Sequence, residues 1–159
     1  MRLHEGYFFL TLLAIVCTLA SCKRKPIAEI IETYKTGILK EERYYNDEKD
    51  KTSYTSIIYY ENGDTSETIQ YRKGEKDGFK IGFTHWGRIK SRVHYVQGFK
   101  VDTIFSYSDS GVITQMQIIK GKCPDTLCCC DGVHLNFGSG KLQEKFMMKD
   151  KSDDGIHET

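Results

Sequence analysis

Within successive stretches of the chain apolar and polar side chains alternate with a period of two. Ile69 and Tyr71 alternate with Gln70 and Arg72, Ile81 and Phe83 with Lys80 and Thr84, Val93 and Tyr95 with Arg92 and His94, and Phe105 and Tyr107 with Ser106 and Ser108. Strands half-buried in a sheet read this way, because successive side chains point to opposite faces. Between the runs fall NGD, KGEKDG, WGR, QGFK and DSG, where glycine supplies the positive φ of tight hairpin turns. The pattern predicts an all-β chain of successive antiparallel hairpins.

The glycines themselves are periodic. Gly63, Gly87 and Gly111 stand 24 residues apart, each four places after an aromatic (Tyr59, Phe83, Tyr107), and Gly74, Gly98 and Gly121 follow them at 11, 11 and 10 residues. More worn copies flank this core. YKTGILKEERYY places Gly37 three residues after Tyr34, as Gly63 follows Tyr60, and FGSGKLQEKFMM does the same with Phe137 and Gly140. About five units of about 24 residues result. One hairpin is marginal in water, whereas hairpins laid edge to edge bury a continuous apolar face and leave two edges. The expected architecture is an elongated, twisted antiparallel sheet of tandem β-hairpin repeats.

The arrangement YYENG, then YRKG, then a further glycine resembles the MORN repeat variant, which is strung in tandem in proteins that include the YwqK family of antitoxin-like proteins, many of them bacterial lipoproteins. The resemblance covers residues 34–148 and is strongest over 59–121. The first unit carries NDEKDKTS where its second turn glycine should stand, and the fourth is stretched, with 29 residues from Gly111 to Gly140. The resemblance implies a protein-interaction scaffold and brings no catalytic residue or cofactor with it.

The N-terminus has a short head containing Arg2, a run of fourteen mostly apolar residues from Tyr7 to Ala20, then Ser21 and Cys22. Fourteen residues rise only about 21 Å against a hydrocarbon core of about 30 Å, so a signal peptide fits better than a spanning helix. Leu19, Ala20, Ser21 and Cys22 look like a bacterial lipobox. That resemblance implies cleavage between Ser21 and Cys22 and acylation of Cys22, which becomes the new N-terminus. The alternative is an ordinary cleaved signal in which Cys22 is incidental. Lys23, Arg24 and Lys25 lie on the translocated side, contrary to the positive-inside bias. Two or more acyl chains, at about 0.8 kcal/mol per buried methylene, tether a domain without embedding it.

These boundaries give a signal peptide over 1–21, a lipidated tether over 22–33, a repeat domain over 34–150 with a Cys-rich insertion at 122–131, and a flexible tail over 151–159. Within the tether, IAEIIETY reads as a short helix or as a cap on the first unit. Without residues 1–21 the chain carries 22 basic and 21 acidic side chains, a net charge of +1. So even a balance argues against nucleic acid, whose phosphates require a concentrated basic face.

Four of the six cysteines fall in the insertion GKCPDTLCCCDG. In an exported chain the first expectation is a disulfide, and Cys123 with Cys130 would close a loop of about eight residues at a hairpin base. A thiolate site for zinc or copper(I) is the alternative, with no metal ligand assigned, because consecutive Cys128, Cys129 and Cys130 do not converge easily on one ion. Free or intermolecular thiols are a third. His85, His94, His134 and His157 are scattered and read as surface or cross-strand partners. GSGK at 138–141 continues with Leu142 and lacks the earlier glycine of a phosphate loop. No nucleophile elbow is present.

Most recurring aromatics are expected to fill the sheet. Trp86, at a turn, is the candidate interaction residue, since an accessible tryptophan is a common interface anchor. The leading expectation is a non-enzymatic lipoprotein of the bacterial envelope, facing away from the cytoplasm, held to the bilayer through acylated Cys22. Its sheet would bind a protein partner, of toxin type or belonging to an envelope complex. A lipoprotein binding glycan on rows of exposed rings is the second reading, and a thiolate metal carrier the third.

Overall fold

The computed structural model of the chain describes residues 26–125 and 131–149. They form one open antiparallel sheet. The strands are β1 (Ile27–Thr33), β2 (Leu39–Tyr45), β3 (Tyr54–Tyr59), β4 (Thr65–Arg72), β5 (Glu75–Phe83), β6 (Ile89–Val96), β7 (Phe99–Tyr107), β8 (Ile113–Ile119), the two-residue β9 (Cys123–Pro124), β10 (Gly132–Gly138) and β11 (Lys141–Met148). Each pairs with the next in sequence, except that β8 pairs with β10, and β9 adds to the end of β7.

Two kinds of turn alternate along the chain. In the first, five residues close the hairpin: the N–H of Gly63 donates to the carbonyl of Tyr60 at 2.9 Å, and the N–H of Tyr60 donates to the carbonyl of Asp64 at 2.8 Å. The same pair of bonds recurs at Tyr34–Ile38, Thr84–Arg88 and Ser108–Val112. A type I turn followed by a left-handed residue gives this geometry, and the glycine takes the left-handed place. The second kind has two residues, both with positive φ: Lys73 and Gly74, Gln97 and Gly98, Ser139 and Gly140. The turn of Gly140 is thus of the second kind, unlike its expected likeness to Gly37 and Gly63, so the fifth unit begins on the other type of turn.

Two further expectations change. The stretch IAEIIET is no tether or helix, since it pairs with β2 from Ile27↔Tyr45 onward. A register shift between Ile30 and Glu32 breaks its alternation and hides the strand in the sequence. Nor is there one continuous apolar face. Lys80 pairs with Ile69 on one side and Val93 on the other, which puts Ile81 and Phe83 on the opposite face from Ile69, Tyr71, Val93 and Tyr95. Phe105 lies opposite Arg92, on the face of Ile81.

The buried side chains Tyr45, Ser56, Ile69, Tyr95 and Ile119 all belong to the first of these faces. The second face carries cross-strand rows Phe105–Met116–Leu135 and Ile118–Val133–Met147, which remain half-buried or exposed. A sheet normally buries an apolar face against a second layer. Among the described residues every strand belongs to this single layer.

Candidate functional site

The turns of the first kind line one rim of the sheet, and each is tied to its neighbour. The hydroxyl of Tyr34 donates to the carbonyl of Tyr59 at 2.8 Å, and that of Tyr60 donates to the carbonyl of Phe83 at 2.7 Å. Arg88 continues the series with a bond from its guanidinium to the carbonyl of Asp109. The rim is therefore a rigid row of similar turns, spaced by strand pairs.

Trp86 is the third residue of the turn Thr84–Arg88, and its side chain is 82 % exposed. The sister turns hold Thr36, Asn62 and Ser110 at that place. The turn geometry therefore asks for no aromatic there. On the same rim Ile89 directly follows this turn and Val112 closes the next one, while Ile38 closes the turn two strand pairs away, each exposed. His85 stacks on Tyr60 with centroids 3.7 Å apart, and the hydroxyl of Thr84 accepts the N–H groups of Trp86 and Arg88 at 3.3 and 3.2 Å. The backbone beneath the indole is thus fixed while the ring projects into solvent.

The other recurring rings are engaged within the sheet. Tyr54 stacks on Tyr71 at 4.6 Å and tilts against Tyr45 at 5.5 Å, with the Arg43 guanidinium 4.7 Å from the Tyr54 centroid. His94 stacks on Phe79, whose ring also carries the Arg92 guanidinium 4.1 Å from its centroid, and His134 stacks on Phe146. The described histidines are cross-strand partners. His94 Nδ1 also lies 2.7 Å from Asp102 Oδ2, where Asp102 takes a positive φ at a bulge in β7. This places a carboxylate on an imidazole with no hydroxyl or thiol nucleophile in the contacts described for the pair.

On the second face Tyr44 donates to Glu42 at 2.7 Å, and Tyr59 donates to the same carboxylate. Burial, reinforced by that carboxylate, pushes the Tyr59 phenol far above its ordinary value. Both tyrosines serve as neutral donors.

The Cys-rich insertion folds back on the first face. Cys123 is 1 % exposed, disulfide-bonded, and packs with Ile119 and Ile104. Its expected partner Cys130 lies outside the described residues, as do Cys22, Ser21 and the expected tail over 151–159. Beside it Asp125 accepts from the Tyr95 hydroxyl at 2.6 Å and from the Lys76 ammonium at 2.5 Å. Burial works to raise the Asp125 carboxyl, but the hydrogen bonds from Lys76 and Tyr95 outweigh it and hold it below the usual carboxylate range. Sequence reading missed Asp125, which sits 49 residues from Lys76 and in a segment without periodicity.

Among the described residues no three His, Cys, Asp or Glu side chains converge as metal ligands. Two surface depressions, one around Tyr54, Gln70 and Asp77 and one around Arg72, Gln97 and Phe99, are open to solvent. No family model, no curated protein and no solved structure matches the chain.

Proposed function

We propose that the chain is a non-enzymatic, lipid-anchored envelope protein whose repeat sheet binds another protein through the turn rim centred on Trp86. The carrying observation is internal to the repeat: three sister turns hold Thr36, Asn62 and Ser110, and one holds a projecting tryptophan that the fold does not use. Large aromatic side chains of this kind supply much of the binding energy at protein interfaces, especially when ringed by smaller contacts that exclude water. Ile89 beside the turn and Val112 on the neighbouring turn, which Arg88 ties to this one, offer such contacts.

The oxidised state of Cys123 supports export, since disulfides persist outside the cytoplasm. The lipobox supports an anchor at Cys22. The resemblance to MORN variants favours a partner of toxin or envelope-complex type. The ring stacking on the first face weighs against glycan binding, because Tyr45, Tyr54 and Tyr71 turn toward one another rather than presenting a coplanar platform.

Photo-crosslinking in intact cells tests the reading. A benzophenone amino acid in place of His85, next to Trp86, should trap one defined protein, whereas the same group in place of Glu61 in the sister turn should not. Equal labelling at both positions, or none at His85, would overturn it.

A further inference from the structure

The chain enters the sheet on the rim opposite Trp86. Ile27, the first residue of β1, pairs with Tyr45, Tyr45 with Tyr54, and Tyr54 with Tyr71 near the end of β4. The two-residue turns of Lys73 with Gly74 and of Gln97 with Gly98 lie on this rim, and the short β9 joins it, Pro124 pairing with Phe99. Trp86 follows the other end of β5, whose nine residues set the two rims about 30 Å apart.

This rim holds an exposed aromatic of its own. Phe99 is 36 % exposed, the Lys122 ammonium lies 5.4 Å from its ring centroid, and Arg72, Lys73 and Gln97 line the same open depression. Glu75 and Asp77 line it too, so three basic side chains (Arg72, Lys73, Lys122) stand against two acidic ones around the ring. Among the described residues no salt bridge engages any of the three cations. Asp125, next along from Pro124, is already held by Lys76 and Lys100. Toward β1 the connection between β2 and β3 holds three acidic and two basic side chains, which Lys23, Arg24 and Lys25, just ahead of Ile27 in sequence, outweigh.

We propose that this rim stands on an anionic lipid headgroup surface, with Phe99 at the interface and Lys73 and Lys122 over the phosphates, and that the Trp86 turn therefore faces away from the bilayer. The inference rests on the reading of Cys22 as the acylated residue. From Cys22 to Ile27 the chain advances five residues, a reach of at most about 18 Å. That is shorter than the sheet is tall, so an upright sheet meets the bilayer only with the rim of Phe99. An aromatic ring flanked by cations suits the headgroup layer, where each Lys or Arg contributes about 1 kcal/mol on an anionic leaflet. The same term gives a place to Lys23, Arg24 and Lys25, whose charge opposes the positive-inside bias but favours contact with headgroups once Cys22 is anchored.

The test uses the full-length lipoprotein in vesicles of phosphatidylcholine with phosphatidylglycerol, carrying a benzophenone amino acid in place of Phe99 or, separately, of Trp86. Irradiation should give protein–lipid adducts at position 99 about tenfold above those at position 86, although Trp86 is the more exposed of the two. Lys73→Glu with Lys122→Glu should lower the adduct at position 99 about fivefold while the protein still floats with the vesicles and its circular dichroism spectrum stays β-type. Vesicles of phosphatidylcholine alone should lower it in the same way. Equal adducts at both positions, as from a sheet lying flat, an excess at position 86, or a yield at position 99 indifferent to these charges would overturn the inference and leave the anchor standing. A chain that does not float with the vesicles would sink the anchor reading and this inference with it.

Discussion

The hydroxyl of Tyr95, on β6, donates to the carboxylate of Asp125 in the Cys-rich insertion at 2.6 Å, bridging 30 residues of sequence. Lys76 and Lys100 approach the same carboxylate from β5 and β7, at 2.5 and 3.7 Å. One acidic side chain thus clamps the insertion onto three strands of the first face. Because the folded-state carboxyl titrates below its unfolded value of about 3.9, the clamp contributes fully above that pH and is lost as pH falls through the folded value. The carboxylate is 38 % exposed, so water screens the pair and the contribution at neutral pH is set at about 1 kcal/mol. Asp125→Asn should lower the melting temperature at pH 7 by about 3 °C, and the difference from the parent should shrink below about pH 4. A difference that persists unchanged at pH 3 would show that charge plays no part.

Gly132 approaches β8 so closely that an added Cβ would lie 1.9 Å from the carbonyl oxygen of Ile118. Gly111 has open space around it and a φ of +82. Gly111→Ala should therefore cost about 1 kcal/mol through backbone strain alone. Gly132→Ala must displace the main chain of a paired strand and should cost more, about 3 kcal/mol. Urea unfolding of the two variants decides the order, and equal midpoints would mean that the approach of β8 is not a constraint.

The contrast between those glycines shows what could be read from sequence. Turn glycines are legible because the left-handed conformation recurs with the repeat, as at Gly37, Gly63, Gly87 and Gly111. Strand existence is legible from the alternation in β4 to β7. The face each alternating set occupies is not, because it depends on register across bulges, as where Lys80 sits between Ile69 and Val93. β1 was hidden for the same reason, its shift at Ile30 and Glu32 breaking the period. Asp125 carries no periodic signal at all. Trp86 was legible as an outlier, since a tight turn between two strands seldom demands an indole.

Reduction should act on the insertion first. The Cys123 sulfur is almost wholly buried, so reductant reaches it only after local opening. Once the bond is broken, a loss of about 2 kcal/mol in the chain-entropy model should lower the melting temperature by several degrees. Cys123→Ser should reproduce that shift and make stability indifferent to reductant. A chelator that destabilises the oxidised protein while reductant leaves it unchanged would favour the thiolate metal reading instead.

The anchor makes a separate expectation. Cys22→Ala should abolish incorporation of radiolabelled palmitate and leave an unprocessed or soluble chain, because the thiol is the lipid acceptor. Labelling of the variant at the parent level would show that Cys22 is incidental to a cleaved signal.

Recovery of partner protein from cross-linked cells is the most direct measurement, comparing the parent with Trp86→Ala, Asn62→Ala and Ser110→Ala at the same place in three sister turns. All three are exposed turn positions, so each variant should keep its melting temperature within about 1–2 °C of the parent. Trp86→Ala should reduce recovery of the partner by about thirtyfold, as the loss of a 2 kcal/mol interface anchor would, and the other two should leave it unchanged. Equal recovery by Trp86→Ala and the parent would contradict the claim that this rim is the binding surface.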